Sequence, residues 1–441
     1  MRKILVFLLL FASACESNLD LRPKMQITAE EAFSNRENVY AALLGCYDGL
    51  QLQHYYGRNL VIVGDIASDN TVADGTKLEY YAMDRNSLLA NNILVEGIWT
   101  DIYLAVNRVN YMLYKLEEIT FLSDSDKKDY QGQLSFLRAL HYFNLVRLYG
   151  GVPLKVLPTM ADLPEYFLKR SSVDEVYNQI VADLEFARLN IINTNPDKAT
   201  AIAATALLAS VALTIGNATA AREYANTVLQ AQPVLEVSYK DLFSSGSDPG
   251  NEILFYCPFN ASDKNRLAEY NFPKTLGGRH ENAPSGLLIN IDSNDKRKPM
   301  IASNYSGEFY CTKYSDLATG SDRVIVLRTA EMYFIRAEAN YQLDSIANRP
   351  VILSDMNTIR NRAGLQAIQS DTITSLRNII EREKQIEFAF EGKRWFDLIR
   401  THRAIDLVPT VTQSFQMLFP IPLSEILANP NISTDDQNYG Y

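Results

Sequence analysis

The pattern that most restricts what this chain can fold into lies between Arg323 and Arg400. The stretch reads as three helices in a row: RVIVLRTAEMYFIRAEANYQL, then VILSDMNTIRNRAGL, then TSLRNIIEREKQIEFAFEGKRWFDLIRT. In the third, Leu376, Ile379, Ile386 and Phe390 recur at three- and four-residue steps, the spacing of one buried face. Ile380, Glu383, Glu387 and Glu391 form a second, overlapping row, which sets three carboxylates one turn apart. Like charges at that spacing repel, and a buried carboxylate without a partner costs far more. Arg328 and Arg336 on the first helix, Arg360 and Arg362 on the second, and Arg394 just after the acid row supply counter-ions. The pattern predicts a partly buried ion-pair network of Arg328, Arg336, Glu383, Glu387, Glu391 and Arg394 that locks the helices together. Two carboxylates in a cleft could instead be the acid and base of a glycosidase. Arginines around them would hold both ionised and leave no evident proton donor.

The same stretch carries a resemblance. RTAEMYFIRAEA, NTIRNRAGL and above all ER…E…FEGKRWFDLIR resemble the C-terminal signature of the SusD/RagB family of nutrient-binding outer-membrane lipoproteins. The matching residues include Arg328, Glu331, Arg336, Arg360, Arg362, Glu387, Glu391, Gly392, Arg394, Asp397 and Arg400. The tail LFPIPLSEILANPNI…QNYGY and the block FLRALHYFNLVRLYGGVPL are similar to other parts of that family. These residues identify a scaffold and are not the family's ligand contacts. The resemblance implies a mostly α fold: a SusD-like helical scaffold with tetratricopeptide-repeat-like helix pairs and a loop-rich ligand-binding region.

At the N-terminus, Arg2 and Lys3 precede an apolar run, Ile4–Phe11, too short to span a bilayer. It ends in Ala12-Ser13-Ala14 before Cys15, an arrangement that resembles a bacterial lipobox with Cys15 as the lipidated residue. Residues 1–14 are then the lipoprotein signal, and no later stretch is long and apolar enough to cross a membrane. The lipid is the only expected membrane contact, and the family places such proteins on the outer face of the outer membrane. Of the remaining cysteines, Cys46 sits in an apolar helix, while Cys257 and Cys311 bracket one loop-rich region and could pair or stay free.

With 441 residues, 47% of them hydrophobic, the chain can bury a large core. A net charge of −10 argues against a nucleic-acid partner, which needs a basic face. There is no Walker A loop, GxSxG elbow, dinucleotide fingerprint or zinc spacing among the scattered histidines. No enzyme and no cofactor or resident metal is expected, although Asp292–Asp295 leaves a Ca²⁺ loop open.

Helices are expected over 29–52, 94–116 and 126–148, the last stopped by Gly150-Gly151 and Pro153. Residues 54–86 are polar and rich in Asp and Gly, and read as loop despite NLVIV. From Ser171 to Pro233 the chain reads as a helical array. Leu208, Ala209, Gly216, Ala221, Ala225 and Pro233 fall on tetratricopeptide spacing, and one such repeat needs neighbours to stack on it. Helical periodicity vanishes over 234–322. The expected organisation is thus 15–233 helical, 234–322 loop-rich and 323–441 the signature region.

Long loops on a rigid scaffold are where recognition sits. Capturing a sugar needs an aromatic face for its C–H side and planar polar groups for its hydroxyls. Asp69, Asn70, Tyr80, Tyr81 and Arg85 form one candidate cluster; Tyr270, Arg279, His280, Tyr305 and Tyr310 form a second. With 25 tyrosines in the chain, packing under a loop competes with stacking at each of them. Trp99 and Trp395 both fall in helices, which keeps peptide capture open beside oligosaccharide capture. Family resemblance implies a SusC-like TonB-dependent transporter as permanent partner. A helical-repeat adaptor without any small ligand is the remaining alternative.

Overall fold

A computed structural model describes residues 29–160, 163–244, 248–369 and 375–441. The export signal, the Thr28 cap and Cys15 lie outside the described residues. Of the described residues, 29–42 fall in one compact unit and those from Leu43 in a second. The first holds α1 (Ala29–Ala32) and the start of α2 (Arg36–Asp48). The single helix expected over 29–52 is broken here because Asn35 caps α2, its Oδ1 accepting the Asn38 N–H at 2.9 Å.

The expected loop over 54–86 contains two helices, α3 (Asn59–Ile66) and α4 (Leu78–Asp84). Every residue of α3 is buried, so its sequence has no polar face to give the helix away, and its Val and Ile mimic a strand. Two long helices follow, α5 (Ile93–Glu118) and α6 (Asp124–Tyr149). Asn92 caps the first by accepting the Leu94 N–H at 2.8 Å; Gly150 ends the second in a left-handed turn at φ 73°.

Next come α7 (Val173–Asn190), opened by a Ser172–Glu175 capping box, α8 (Ala201–Thr214) and α9 (Ala218–Ala231). Each packs on the one before it, with α7 on α6. Buried Ala204, Ala209, Ala221 and Ala225 let the helix backbones approach closely. Arg138 bridges to Asp183 at 2.7 Å between α6 and α7, and Tyr224 donates to Glu185 at 2.6 Å between α9 and α7.

The loop-rich stretch holds short pieces only: α10 (Leu267–Asn271), α11 (Gly286–Ile289) and α12 (Lys298–Ile301). The array then resumes with α13 (Thr329–Asp344), which packs on α9, and α14 (Arg349–Arg362), which packs on α13. The repeat is thus flanked by α6 and α7 on one side and by α13 and α14 on the other.

Among the described residues, three antiparallel pairs of strands complete the fold. β1 (Thr71–Val72) pairs with β3 (Ala283–Pro284), β2 (Ile253–Cys257) with β6 (Val324–Arg328), and β4 (Ser303–Tyr305) with β5 (Glu308–Tyr310). RVIVLR was expected to begin a helix; its β-branched run lies instead in β6, registered Cys257↔Val324 to Ile253↔Arg328.

The last expected helix is also divided. α15 (Leu376–Glu387) and α16 (Arg394–Arg400) are separated by a turn in which Phe390 and Gly392 take φ 65° and 70°. Glu391 therefore sits in the turn, not on the helical acid row. Arg147 ties α6 to α16, its guanidinium lying 3.8 Å from the Phe143 ring centre and 3.9 Å from that of Phe396. Cys257 and Cys311 are free buried thiols and do not pair. No helix among the described residues is long and apolar enough to cross a membrane.

Candidate functional site

The glutamate row is closed off from solvent by cations. Glu387 receives Arg328 Nη1 at 2.5 Å and Arg297 Nη1 at 3.1 Å, and it also pairs with Arg362. Glu383 takes Arg297 Nη2 at 2.9 Å and pairs with Arg360. Glu391 takes Arg328 Nη2 at 2.9 Å and Lys313 Nζ at 2.7 Å. Glu252 joins Arg328 and Arg362 at 2.9 and 2.8 Å, and Asp295 joins Arg297 at 2.7 Å. Five carboxylates thus face five cations, and the cluster is neutral.

Burial pushes the Glu387 carboxyl up, but Arg362, Arg328 and Arg297 outweigh it and hold the group well below the usual carboxylate range. A carboxylate fixed in its ionised form cannot act as general acid. Arg336 and Arg394 lie outside this cluster. Arg336 pairs with Asp355 at 2.5 Å, and Arg394 grips Asp69 at 2.7 and 2.8 Å. Glu252, Asp295, Arg297 and Lys313 come from the loop-rich stretch, where nothing in the local pattern marks them.

The two candidate recognition segments, about 200 positions apart, are folded onto one another. β1 pairs with β3 at their base. Glu281, buried behind them, accepts the backbone N–H of Thr76 at 3.0 Å and of Lys77 at 3.1 Å, pinning the turn before α4. A Cβ at Gly75 would stand 2.1 Å from a Glu281 oxygen, so a larger residue there would push the clamping carboxylate aside. Tyr80 and Tyr270 meet with ring centres 5.8 Å apart; Tyr80 donates to Asn59 at 2.8 Å, and Arg58 donates to the Tyr270 hydroxyl at 2.7 Å. His280 Nδ1 lies 3.1 Å from Asp74, and its Nε2 lies 3.0 Å from the Phe309 carbonyl. The hairpin of β4 and β5 is thereby fastened to both segments.

The ten candidate residues divide by depth. Asn70, Tyr80, Tyr270 and His280 are buried beneath this surface and hold its segments together. Asp69 is committed to Arg394 and edges a cleft of about 580 Å³, walled by Val72, Leu287, Arg382, Val408 and Pro409. Arg85 and Arg279 are exposed, Tyr305 is 44% exposed at the hairpin tip, and Tyr81 and Tyr310 are half-buried. Arg279 pairs with Glu269 and lies over the Tyr270 ring, Arg85 lies over Tyr81, and Tyr310 packs edge-on to Phe272 at 4.8 Å. Sequence reasoning missed Glu281 and Arg58, whose roles come from backbone amides and a hydroxyl some 200 positions away.

Comparison with known proteins bears on the family and the fold. The model of the SusD family matches residues 280–407, and a second family model, described as starch-binding and associating with the outer membrane, matches residues 18–213. SusD-like protein P2 of Formosa agariphila is 26% identical over 98% of both chains, and a SusD-like protein of Bacteroides ovatus is 23% identical over 90% of this chain and 81% of its own. Among solved structures, a SusD superfamily protein from Bacteroides vulgatus superposes with TM-score 0.82 at 20% identity, over 93% of this chain and 100% of the other. A laminarin-binding SusD-like protein superposes with TM-score 0.79 at 22% identity, over 92% and 100%. Signature, fold and full-length relatives agree, and the chain belongs to the SusD/RagB family.

Proposed function

We propose that this protein is a non-enzymatic binding lipoprotein of the cell surface. It captures an oligosaccharide and passes it to a SusC-like TonB-dependent transporter in the outer membrane. The observation that carries the binding role is the composite surface itself. Two distant segments are clamped by Glu281, Arg58 and the β1–β3 pair, so Tyr81, Arg85, Arg279, Tyr305 and Tyr310 are presented on a preorganised support. Such a support spares a ligand the entropy of ordering loops. Aromatic faces beside guanidinium groups are the chemistry a sugar ring needs. Similarity to a protein described as laminarin-binding, and to a surface glycan-binding protein from Bacteroides fluxus, supports carbohydrate as the ligand class.

Anchoring through Cys15 rests on the sequence, and the matched family model's outer-membrane association supports the location. Domain limits of 15–233, 234–322 and 323–441 remain our division of the mature chain. The array of paired helices supplies a broad face for the transporter.

A peptide ligand is the second reading. The 580 Å³ cleft has apolar walls at Val72, Leu287, Val408 and Pro409, charges at Asp69, Asp84 and Arg382, and no aromatic ring in its lining. Purified mature protein tested against a glycan array and a peptide library separates the two readings. Retention of glycans supports the first; capture of peptides alone replaces it with the second.

A further inference from the structure

We propose that one water molecule is a built-in component of this fold, held by Asn70, Gln385 and Arg394 beneath the recognition surface. The three side chains line a single small cavity of about 10 Å³, roughly what the centre of one water requires. All three are buried, at 0%, 5% and 4% exposure. Asn70 Oδ1, Gln385 Nε2 and Arg394 Nη1 are buried polar atoms that no protein group satisfies, and such atoms are costly unless solvent completes them.

Their orientation is fixed by what else these side chains do. Asn70 spends its Nδ2 on Asp65 Oδ1 at 2.7 Å, so its oxygen must face the other way. Gln385 Oε1 accepts from Arg382 Nη1 at 2.7 Å, which turns its Nε2 inward. Arg394 uses Nε and Nη2 on Asp69 and leaves Nη1. The three unsatisfied atoms thus offer two donors and one acceptor. A halide would satisfy the donors and meet the Asn70 oxygen lone pairs; a cation would face a guanidinium. Water alone can accept twice and donate to Asn70, with its second proton directed toward Asp397, which also lines the cavity.

The water closes a ring. Gly392 N–H donates to Asp65 Oδ2 at 2.8 Å and Asp65 holds Asn70, so the water returns the connection to α15 and α16. The segment leading into the recognition surface is thereby fastened to the C-terminal frame at both ends.

A crystal structure of the mature protein that resolves ordered solvent tests this, with a second crystal soaked in bromide. The expected result is one peak within about 2.7–3.2 Å of all three atoms and no anomalous signal there. An empty cavity, a bromide peak, or Asn70 Oδ1 bonded directly to Arg394 Nη1 would overturn it. Gln385→Met, near in size and without the amide, should lose the peak and lower Tm by about 2 °C; an unchanged peak also overturns the assignment, because its donor would be absent.

Discussion

The backbone N–H of Gly392 donates at 2.8 Å to the buried carboxylate of Asp65, joining the turn after α15 to the end of α3 across most of the chain. The contact is possible because both elements are bare of side chain where they meet. A Cβ on Gly64 would stand 2.1 Å from the Gly392 carbonyl oxygen, and a Cβ on Gly392 would stand 2.8 Å from Val61 Cα and be strained by the left-handed backbone at φ 70°. Gly64→Ala should therefore cost about 3 kcal/mol or more of stability by overpacking, read as a lowered urea midpoint. A variant as stable as the parent would refute the close approach.

Asp65 also makes stability depend on pH. Burial, the larger influence, raises its carboxyl from 3.8 to about 6 against the opposing hydrogen bonds from Asn70 and Gly392. With the folded value above the unfolded one, the contribution is complete below about pH 4 and lost as pH rises through about 6, on the order of 3 kcal/mol. In Asp65→Asn the stability curve should be flatter than wild type over that window. Equal slopes in chemical denaturation across it would count against a titrating Asp65.

Glu387 works in the opposite direction. Removing its charge by Glu387→Gln leaves Arg297, Arg328 and Arg362 facing one another in the interior, and the expected loss is about 3–5 kcal/mol. Because its carboxyl is held low, its stabilisation is full above the ordinary carboxylate range and drains as pH falls. Wild type should thus lose more stability than the variant between about pH 5 and pH 3, monitored by circular dichroism.

Recognition and support are separable on the loop surface. Tyr305→Ala, at an exposed hairpin tip, should weaken glycan binding up to about tenfold through lost stacking, with Tm unchanged. Tyr270→Phe removes the acceptor for Arg58 and should cost about 1 kcal/mol of stability. Calorimetric titration beside thermal melts distinguishes them, and a Tyr305→Ala protein with full affinity removes that residue from the site.

Glu281 is expected to govern order in the turn before α4. In Glu281→Gln the amides of Thr76 and Lys77 keep at most a neutral acceptor and should exchange with deuterium several-fold faster, while α13 is unaffected. Unaltered exchange at both positions would show that the clamp is unimportant.

What the sequence disclosed follows from how local each signal is. The α5–α9 ladder was legible because caps such as Ser172 and small residues such as Ala209 and Ala221 act within a few positions. α3 was not, since a helix buried all round shows no periodicity. β6 was mistaken for a helix start because its partner, β2, lies some 70 positions earlier. The acid row pointed to arginines, but Arg297 and Lys313 could not be picked out: their partners are set by the fold, not by spacing. Likewise Tyr80 and Tyr270 were visible as tyrosines, whereas their depth depends on Arg58 and Asn59 arriving from α3 and the residue before it.

The neutral cluster draws on Glu252, Asp295, Arg297, Lys313, Arg328, Arg360 and Arg362 before its principal acids, Glu383, Glu387 and Glu391, are reached near the C-terminus. A nascent polypeptide ending ahead of α15 carries the arginines with too few acids to quench them. Its interior is expected to stay open to water until the final stretch is synthesised, so a premature stop should yield an unlocked, protease-accessible chain instead of a shorter working domain.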